Sequence, residues 1–156
     1  MATALLTVGA GVLAQAPKVF RAGAHAIDVT PQKFPVIVNG GMRERTAKRV
    51  VDPLHARCLV LDDGTVQIAF AIVDSCVIPR SIMDKAKELA HKTTGIPVDR
   101  MLIAATHAHS CPSVAGVLGS GVQEDYAAFL PGRIAEGIRL AHKNLVPARV
   151  GWAVGK

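Results

Sequence analysis

The chain has 156 residues, 50% of them hydrophobic, and a formal net charge of +6. This length and composition fit one domain with a sizeable core and exclude a largely disordered chain. The densest basic cluster, residues 43–49, has no interleaved aromatic rings on which bases could stack, so we expect no nucleic-acid partner. Attraction to an anionic membrane surface or to an acidic substrate stays open for this cluster.

Residues 1–16, MATALLTVGAGVLAQA, form an apolar, uncharged segment that ends in Ala14-Gln15-Ala16. A small-x-small ending is typical of a cleaved export signal, so we predict a signal peptide over residues 1–16 and a periplasmic or secreted location. The segment lacks the basic residues that usually begin such signals, and a simple apolar N-terminus is the alternative.

The three cysteines are Cys58, Cys76 and Cys111, and their spacing matches no cysteine-based metal site. We interpret Cys58 and Cys76 as small hydrophobic residues within apolar strands. A disulfide is possible in an exported protein, but the sequence does not favour one.

The first half of the chain carries β-type patterns. Residues 24–29 alternate and predict a short strand, whereas residues 32–52 contain proline, paired glycines and the basic cluster and predict mostly loop. Residues 56–74 hold two apolar runs around the turn at residues 62–64, which predicts a hairpin. The second run, residues 66–73, is almost wholly apolar, as expected of a strand covered on both faces.

The second half alternates between helical and strand patterns. Residues 80–95 and 124–145 have apolar residues at helical spacing, and Pro131 either kinks the latter helix or begins a new one. Residues 101–105 and 148–155 predict strands. Strand, helix and strand with short joins make a βαβ unit, so the predicted fold class is α/β, a mixed β-sheet with packed helices.

Polar side chains follow two of these strands. Asp74 ends the run at residues 66–73, and His107 and His109 follow the strand at residues 101–105. If the two strands are parallel, all three side chains gather at one carboxyl edge, where open α/β sheets bind ligands. In extended backbone a His-x-His pair points one way and can face a single metal ion, with Zn²⁺ the expected choice.

Simpler interpretations remain for these residues. One histidine can be a hydrogen-bonded loop residue with the other a bystander. Asp74 can either orient an imidazole through its second ring nitrogen or cap the strand end by accepting bonds from loop N–H groups.

Four stretches of the chain carry a family resemblance. They are VDPLHARCLVLDDG from residue 51, IAFAIVDSCVIP from residue 68, MLIAATHAHSCPS from residue 101 and IAEGIRLAHKNLVPARVGWAVGK from residue 134. In order and content they resemble the N-terminal part of the neutral/alkaline, non-lysosomal ceramidase family. The resemblance implies that residues 17–156 are an incomplete part of a larger catalytic domain.

The resemblance also implies a function. The family comprises zinc amidases that hydrolyse the N-acyl bond of ceramide, so a ceramide-like lipid amide is the expected substrate. By similarity His107 is a zinc ligand, His109 lies beside the metal as a second ligand or catalytic group, and Asp74 is a catalytic candidate. Cys111 stands where the family usually has glycine.

The resemblance leaves part of the metal site unaccounted for. The family supplies its other zinc ligands, a histidine, a glutamate and a tyrosine, from further downstream, so we expect this polypeptide alone to bind metal poorly and to be nearly inactive. The alternative function is a non-catalytic exported domain that binds lipids or glycans through residues 32–52.

Overall fold

The computed structural model describes residues 18–155 and shows an α/β fold with one mixed sheet and two helices. The sheet has the order β6-β5-β4-β1-β7, and β2 and β3 form a separate two-stranded hairpin. Among the strands of residues 18–155, only β5 and β6 pair in parallel. The elements are β1 (Arg21–Asp28), β2 (Val36–Val38), β3 (Arg45–Ala47), β4 (His55–Asp62), β5 (Gln67–Val73), α1 (Arg80–Thr94), β6 (Met101–Ala105), α2 (Glu124–Lys143) and β7 (Val146–Pro147).

The predicted hairpin and βαβ unit are both present. β4 and β5 pair antiparallel from Ala56↔Val73 to Asp62↔Gln67. α1 ends at Gly95, whose φ of 75° is a left-handed conformation that glycine adopts without strain. The chain then returns through β6, which pairs parallel with β5 over Ala69↔Met101 to Val73↔Ala105.

The second helix packs closely on the sheet. α2 is one continuous helix with Pro131 inside it, so the proline does not begin a separate helix. Leu130, Ile134 and Ile138 are fully buried, and burying each such side chain contributes about 1.5–3 kcal/mol. At Gly137 the backbone approaches the sheet so closely that a Cβ would lie 2.8 Å from the Cys58 sulfur.

The sheet is covered on one face only within the described residues. Ala69, Ala71 and Val73 of β5 point into the core, whereas Ile72 is 38% exposed. Leu102 of β6 is exposed on the same outer face. The prediction of a strand covered on both faces is therefore wrong here, because both helices pack on the same side of the sheet.

Two other segments differ from the sequence predictions. Residues 32–52 contain the hairpin β2–β3, with Val36 opposite Ala47, in place of a continuous loop. The predicted strand at residues 148–155 is absent, since β7 stops at Pro147. Antiparallel pairing sets Pro147 opposite Arg21, the first residue of β1, so the chain runs past the end of its partner.

The predicted signal segment, residues 1–16, lies outside the described residues. Among the helices that the structure describes, none combines the length and hydrophobicity needed to cross a bilayer.

Candidate metal centre

The carboxyl edge of β5 and β6 brings the predicted site residues together. The parallel pairing continues beyond both strands, since the Thr106 N–H donates to the Val73 carbonyl at 2.9 Å and the Ala108 N–H to the Ser75 carbonyl at 3.2 Å. Asp74 and the His107–His109 pair therefore leave the sheet at one edge, as the βαβ interpretation predicts. The motif is held by regular backbone hydrogen bonds on one side.

His107 is held in one ring orientation. Its Nδ1 lies 2.8 Å from the Cys76 carbonyl oxygen, and because a carbonyl only accepts, Nδ1 carries the proton. Nε2 is then the ring nitrogen of His107 that can bind a metal ion. Its backbone φ of 64° is left-handed, which costs a non-glycine residue about 1–2 kcal/mol and is typical of functional sites.

His109 faces His107 edge-on. The two Nε2 atoms are 3.2 Å apart, and the ring planes meet at 79° with centroids 4.7 Å apart. With Zn–N bonds of about 2.0–2.1 Å, two ligands of a tetrahedral zinc lie about 3.3 Å apart. Both imidazoles are exposed. Two nitrogens converging at this separation fit a shared divalent cation.

The β2–β3 hairpin supports His109 from the other side. Gly40, with a φ of +94°, lies so close that a Cβ on it would be 2.5 Å from the Cγ of His109. Arg45 donates from Nη2 to the His109 carbonyl at 3.1 Å. Next to Gly40, the buried Asn39 donates from Nδ2 to the Ser113 hydroxyl at 2.9 Å. The sequence of this segment predicts mostly loop, and its paired glycines are the local sign of close backbone packing.

Asp74 lies at the same edge but does not orient an imidazole. Its carboxylate accepts the His55 N–H at 2.9 Å and the Arg57 guanidinium at 2.9 Å, which occupies both oxygens. The orienting acceptor for His107 is instead the Cys76 carbonyl. The suggested imidazole-orienting role is therefore corrected, and strand-end capping describes the contacts of Asp74. Its place among the catalytic residues stays a prediction.

Cys76 is the site residue that sequence analysis missed. One donor atom each from Cys76, His107 and His109 lie within 4.8 Å of one another, the group among the described residues that could hold a metal. Cys76 is buried, which agrees with a hydrophobic role, but it lies three residues beyond β5 rather than inside a strand. Its position past a strand end was the available signal.

The other two cysteines, Cys58 and Cys111, are buried in the protein interior. All three cysteines are free. Burial raises the pKa of Cys58 to about 12 and is the main cause that raises the pKa of Cys111 to about 11, so both stay protonated at neutral pH. Cys111 lies near the motif, but it is not one of the three grouped donors.

An open groove of about 370 Å³ adjoins His109. It lies between the β2–β3 hairpin and the histidine motif. Its walls are mostly apolar, and Arg45 and Arg49 add positive charge. The other lining residues are Thr30, Pro31, Phe34, Val36, Val38, Thr46, Ala47, Val50, Val51, Asp52, Leu54, Ser110 and Pro112. Such a lining suits an elongated molecule with an apolar part and a polar group at His109.

Two solved ceramidase structures have a fold similar to that of this chain. The neutral ceramidase from Pseudomonas aeruginosa superposes with a TM-score of 0.72 over 83% of this chain, at 22% sequence identity. The fold is ceramidase-like. A ceramidase described as complexed with C2 gives a TM-score of 0.71 over the same 83% at 22% identity. This confirms the fold that the sequence resemblance implied, and at such low identity the likeness establishes the fold alone.

The ceramidase-like region is small beside those enzymes. This chain spans 22% of the length of each of the two solved ceramidase chains. No protein-family model matches the chain, and no curated protein matches it by sequence. The α/β fold with its mixed sheet and two helices is consistent with part of a larger catalytic domain.

Proposed function

We propose that this chain carries part of the active site of a zinc-dependent amidohydrolase of neutral ceramidase type, which cleaves the N-acyl bond of ceramide or a related lipid amide. The observation that carries the proposal is the pair of Nε2 atoms, 3.2 Å apart at the carboxyl edge of a ceramidase-like fold. The alternative of a non-catalytic binding domain is not favoured, since binding alone would not require two converging imidazoles.

The residues of this chain would divide the work as follows. Zinc bound at the histidine edge would supply Lewis acidity toward the amide carbonyl and activate water near neutral pH. His107 would serve as a ligand through Nε2, since its Nδ1 proton is committed to the Cys76 carbonyl. His109 would either share the ion or use Nε2 to donate a hydrogen bond to the developing oxyanion and to move a proton.

The groove beside His109 supports a lipid substrate. Its apolar wall would take one hydrocarbon chain, and burying each methylene contributes about 0.8 kcal/mol. The amide would then lie next to the histidines. Arg45 would hold the His109 backbone in place through its bond to the carbonyl oxygen.

We also propose export by residues 1–16 and peripheral contact of the basic cluster, residues 43–49, with an anionic membrane surface.

The test is fatty-acid release from a ceramide, with zinc supplied, by the protein expressed from the full-length reading frame that contains this chain. We expect His107→Ala to lower the rate at least 100-fold, because an essential ligand is lost. His25→Ala is the matched control, since His25 lies on β1, away from the carboxyl edge of β5 and β6. Equal rates for the two variants would contradict the proposal.

A further inference from the structure

We infer that Val50 and Val51, next to the basic cluster, insert into the outer layer of an anionic phospholipid bilayer, so that the groove beside His109 opens toward the membrane. The inference rests on the proposed function, which already places a lipid in the groove and the cluster at a membrane. It adds apolar insertion to electrostatic attraction, and it fixes which part of the molecule meets the lipid.

The two valines are exposed apolar residues at the edge of an apolar groove. Val51 is 81% exposed and Val50 is 40% exposed, and both line the groove. Single exposed apolar residues are ordinary on a protein surface, but neighbouring ones beside a binding groove are typical of an interaction surface. Moving one valine side chain from water into an apolar layer strengthens binding by about tenfold or more.

The charge beside the valines favours an anionic surface. The basic residues of the cluster are Arg43, Arg45, Lys48 and Arg49. The ion pairs within residues 18–155 all involve other basic residues, so no carboxylate there forms an ion pair with the cluster. Glu44, the acidic residue within the cluster, accepts the Gly121 N–H at 3.0 Å. Each lysine or arginine near an anionic bilayer strengthens binding about fivefold.

Cations and apolar side chains are adjacent in one exposed segment. Lys48 and Arg49 directly precede the two valines, and all of residues 48–53 are exposed. Long basic side chains reach lipid phosphates while short apolar side chains enter the acyl boundary, which is the pattern of a protein that lies on a membrane. Apolar side chains among the cations favour a bilayer over a soluble polyanion, because a polyanion offers no hydrocarbon layer.

Sedimentation with lipid vesicles tests the inference. The protein expressed from the full-length reading frame that contains this chain is mixed with phosphatidylglycerol or phosphatidylcholine vesicles. We expect at least tenfold tighter binding to phosphatidylglycerol, weakened by salt. Combined Lys48→Gln and Arg49→Gln should weaken that binding about 25-fold, from about fivefold for each cation. Val51→Ser should weaken it about tenfold, also at high salt, because salt does not screen apolar insertion.

Matched controls lie near the start of β6, away from the carboxyl edge that carries the histidines. Val98→Ser changes another exposed valine, which is 44% exposed. Combined Lys92→Gln and Arg100→Gln removes one exposed lysine and one exposed arginine. Both controls should bind phosphatidylglycerol vesicles as tightly as the unmodified protein.

Three results overturn the inference. The first is equal binding to the two kinds of vesicle, and the second is equal binding by the test variants and their controls. The third is weaker binding by the cation variant with no effect of Val51→Ser, because contact would then be electrostatic without insertion.

Ceramide hydrolysis in detergent micelles keeps this inference separate from the proposed function. Vesicle binding that depends on Val51, without hydrolysis, supports the membrane surface and contradicts the proposed function. Hydrolysis in micelles without vesicle binding does the reverse.

Discussion

Gly40 is the position where a single added methyl group should disturb the site most directly. Its φ is +94°, and an added Cβ would lie 2.5 Å from Cγ and 2.8 Å from Cβ of His109. Alanine at this position must therefore adopt an unfavourable backbone conformation and also push the His109 ring or its backbone away. Gly95 is the matched control, because its φ is +75° and an added Cβ there meets nothing within 4 Å.

Both substitutions force alanine into a left-handed backbone conformation, but only Gly40→Ala also creates a steric clash. A left-handed conformation costs a non-glycine residue about 1–2 kcal/mol, so Gly95→Ala should lose about that much free energy of unfolding. Gly40→Ala adds the cost of overpacking, about 1–3 kcal/mol. Loss of support around a metal ligand typically weakens metal affinity 10–100-fold. We therefore expect Gly40→Ala to be the less stable variant and to bind cobalt or zinc 10–100-fold more weakly.

Urea unfolding without metal and a competition titration with a chromogenic chelator measure the two quantities separately. Gly95→Ala should lose stability while keeping wild-type metal affinity. If Gly40→Ala loses no more stability than Gly95→Ala and binds metal as tightly as the wild type, then Gly40 does not position His109.

Three further predictions concern the fold. Gly137→Ala should lower the free energy of unfolding by about 1–3 kcal/mol, because its Cβ would lie 2.8 Å from the Cys58 sulfur. Gly132→Ala is the control in the same helix, where an added Cβ meets nothing within 4 Å. It should raise the free energy of unfolding by about 0.5–1 kcal/mol, as measured by urea unfolding. The hydrogen bond from Gln67 is the main cause that lowers the pKa of Asp62. The stability that this carboxylate contributes is therefore present above pH about 4 and is lost as the pH falls through the lowered pKa. In thermal melts at a series of pH values, the difference in stability between wild type and Asp62→Asn should shrink over that range. Asn39→Asp should lower the free energy of unfolding by about 2 kcal/mol or more at pH 7. The reason is that an anion replaces the amide that donates to the Ser113 hydroxyl and to the Ala115 and Val117 carbonyls. Protonation of the new carboxylate should restore part of this stability, as measured by thermal melts below pH 4.

Elements with strong local patterns could be predicted from the sequence. The β4–β5 hairpin and α1 combine apolar periodicity with a glycine-bearing end, and these signals depend only on neighbouring residues. The short strand–helix–strand connection predicted that β5 and β6 pair in parallel. The structure confirms this pairing, which places Asp74 and the two histidines at one edge of the sheet.

Other features depend on contacts that no local pattern records. β2 and β3 have three residues each and are stabilised by packing against the histidine motif, as the bridge between Val38 and Pro112 shows. The outer face of β5 has the same apolar residues as a covered face, so Ile72 gave no sign of its exposure. Cys76 is flanked by apolar residues in the sequence, so nothing local marks it as a site residue. It joins His107 and His109 only because β6 returns beside β5.

The backbone ladder that continues past β5 and β6 has a consequence for how the histidine edge moves. The Thr106 and Ala108 amides lie on either side of His107 and donate to Val73, the last residue of β5, and to Ser75 just after it. Hydrogen bonds within such a ladder break only when the strands separate, so these amides should exchange with solvent deuterium about as slowly as those in the middle of β6. The histidine edge should therefore keep its shape, and any opening that admits a bulky molecule should come from the β2–β3 side.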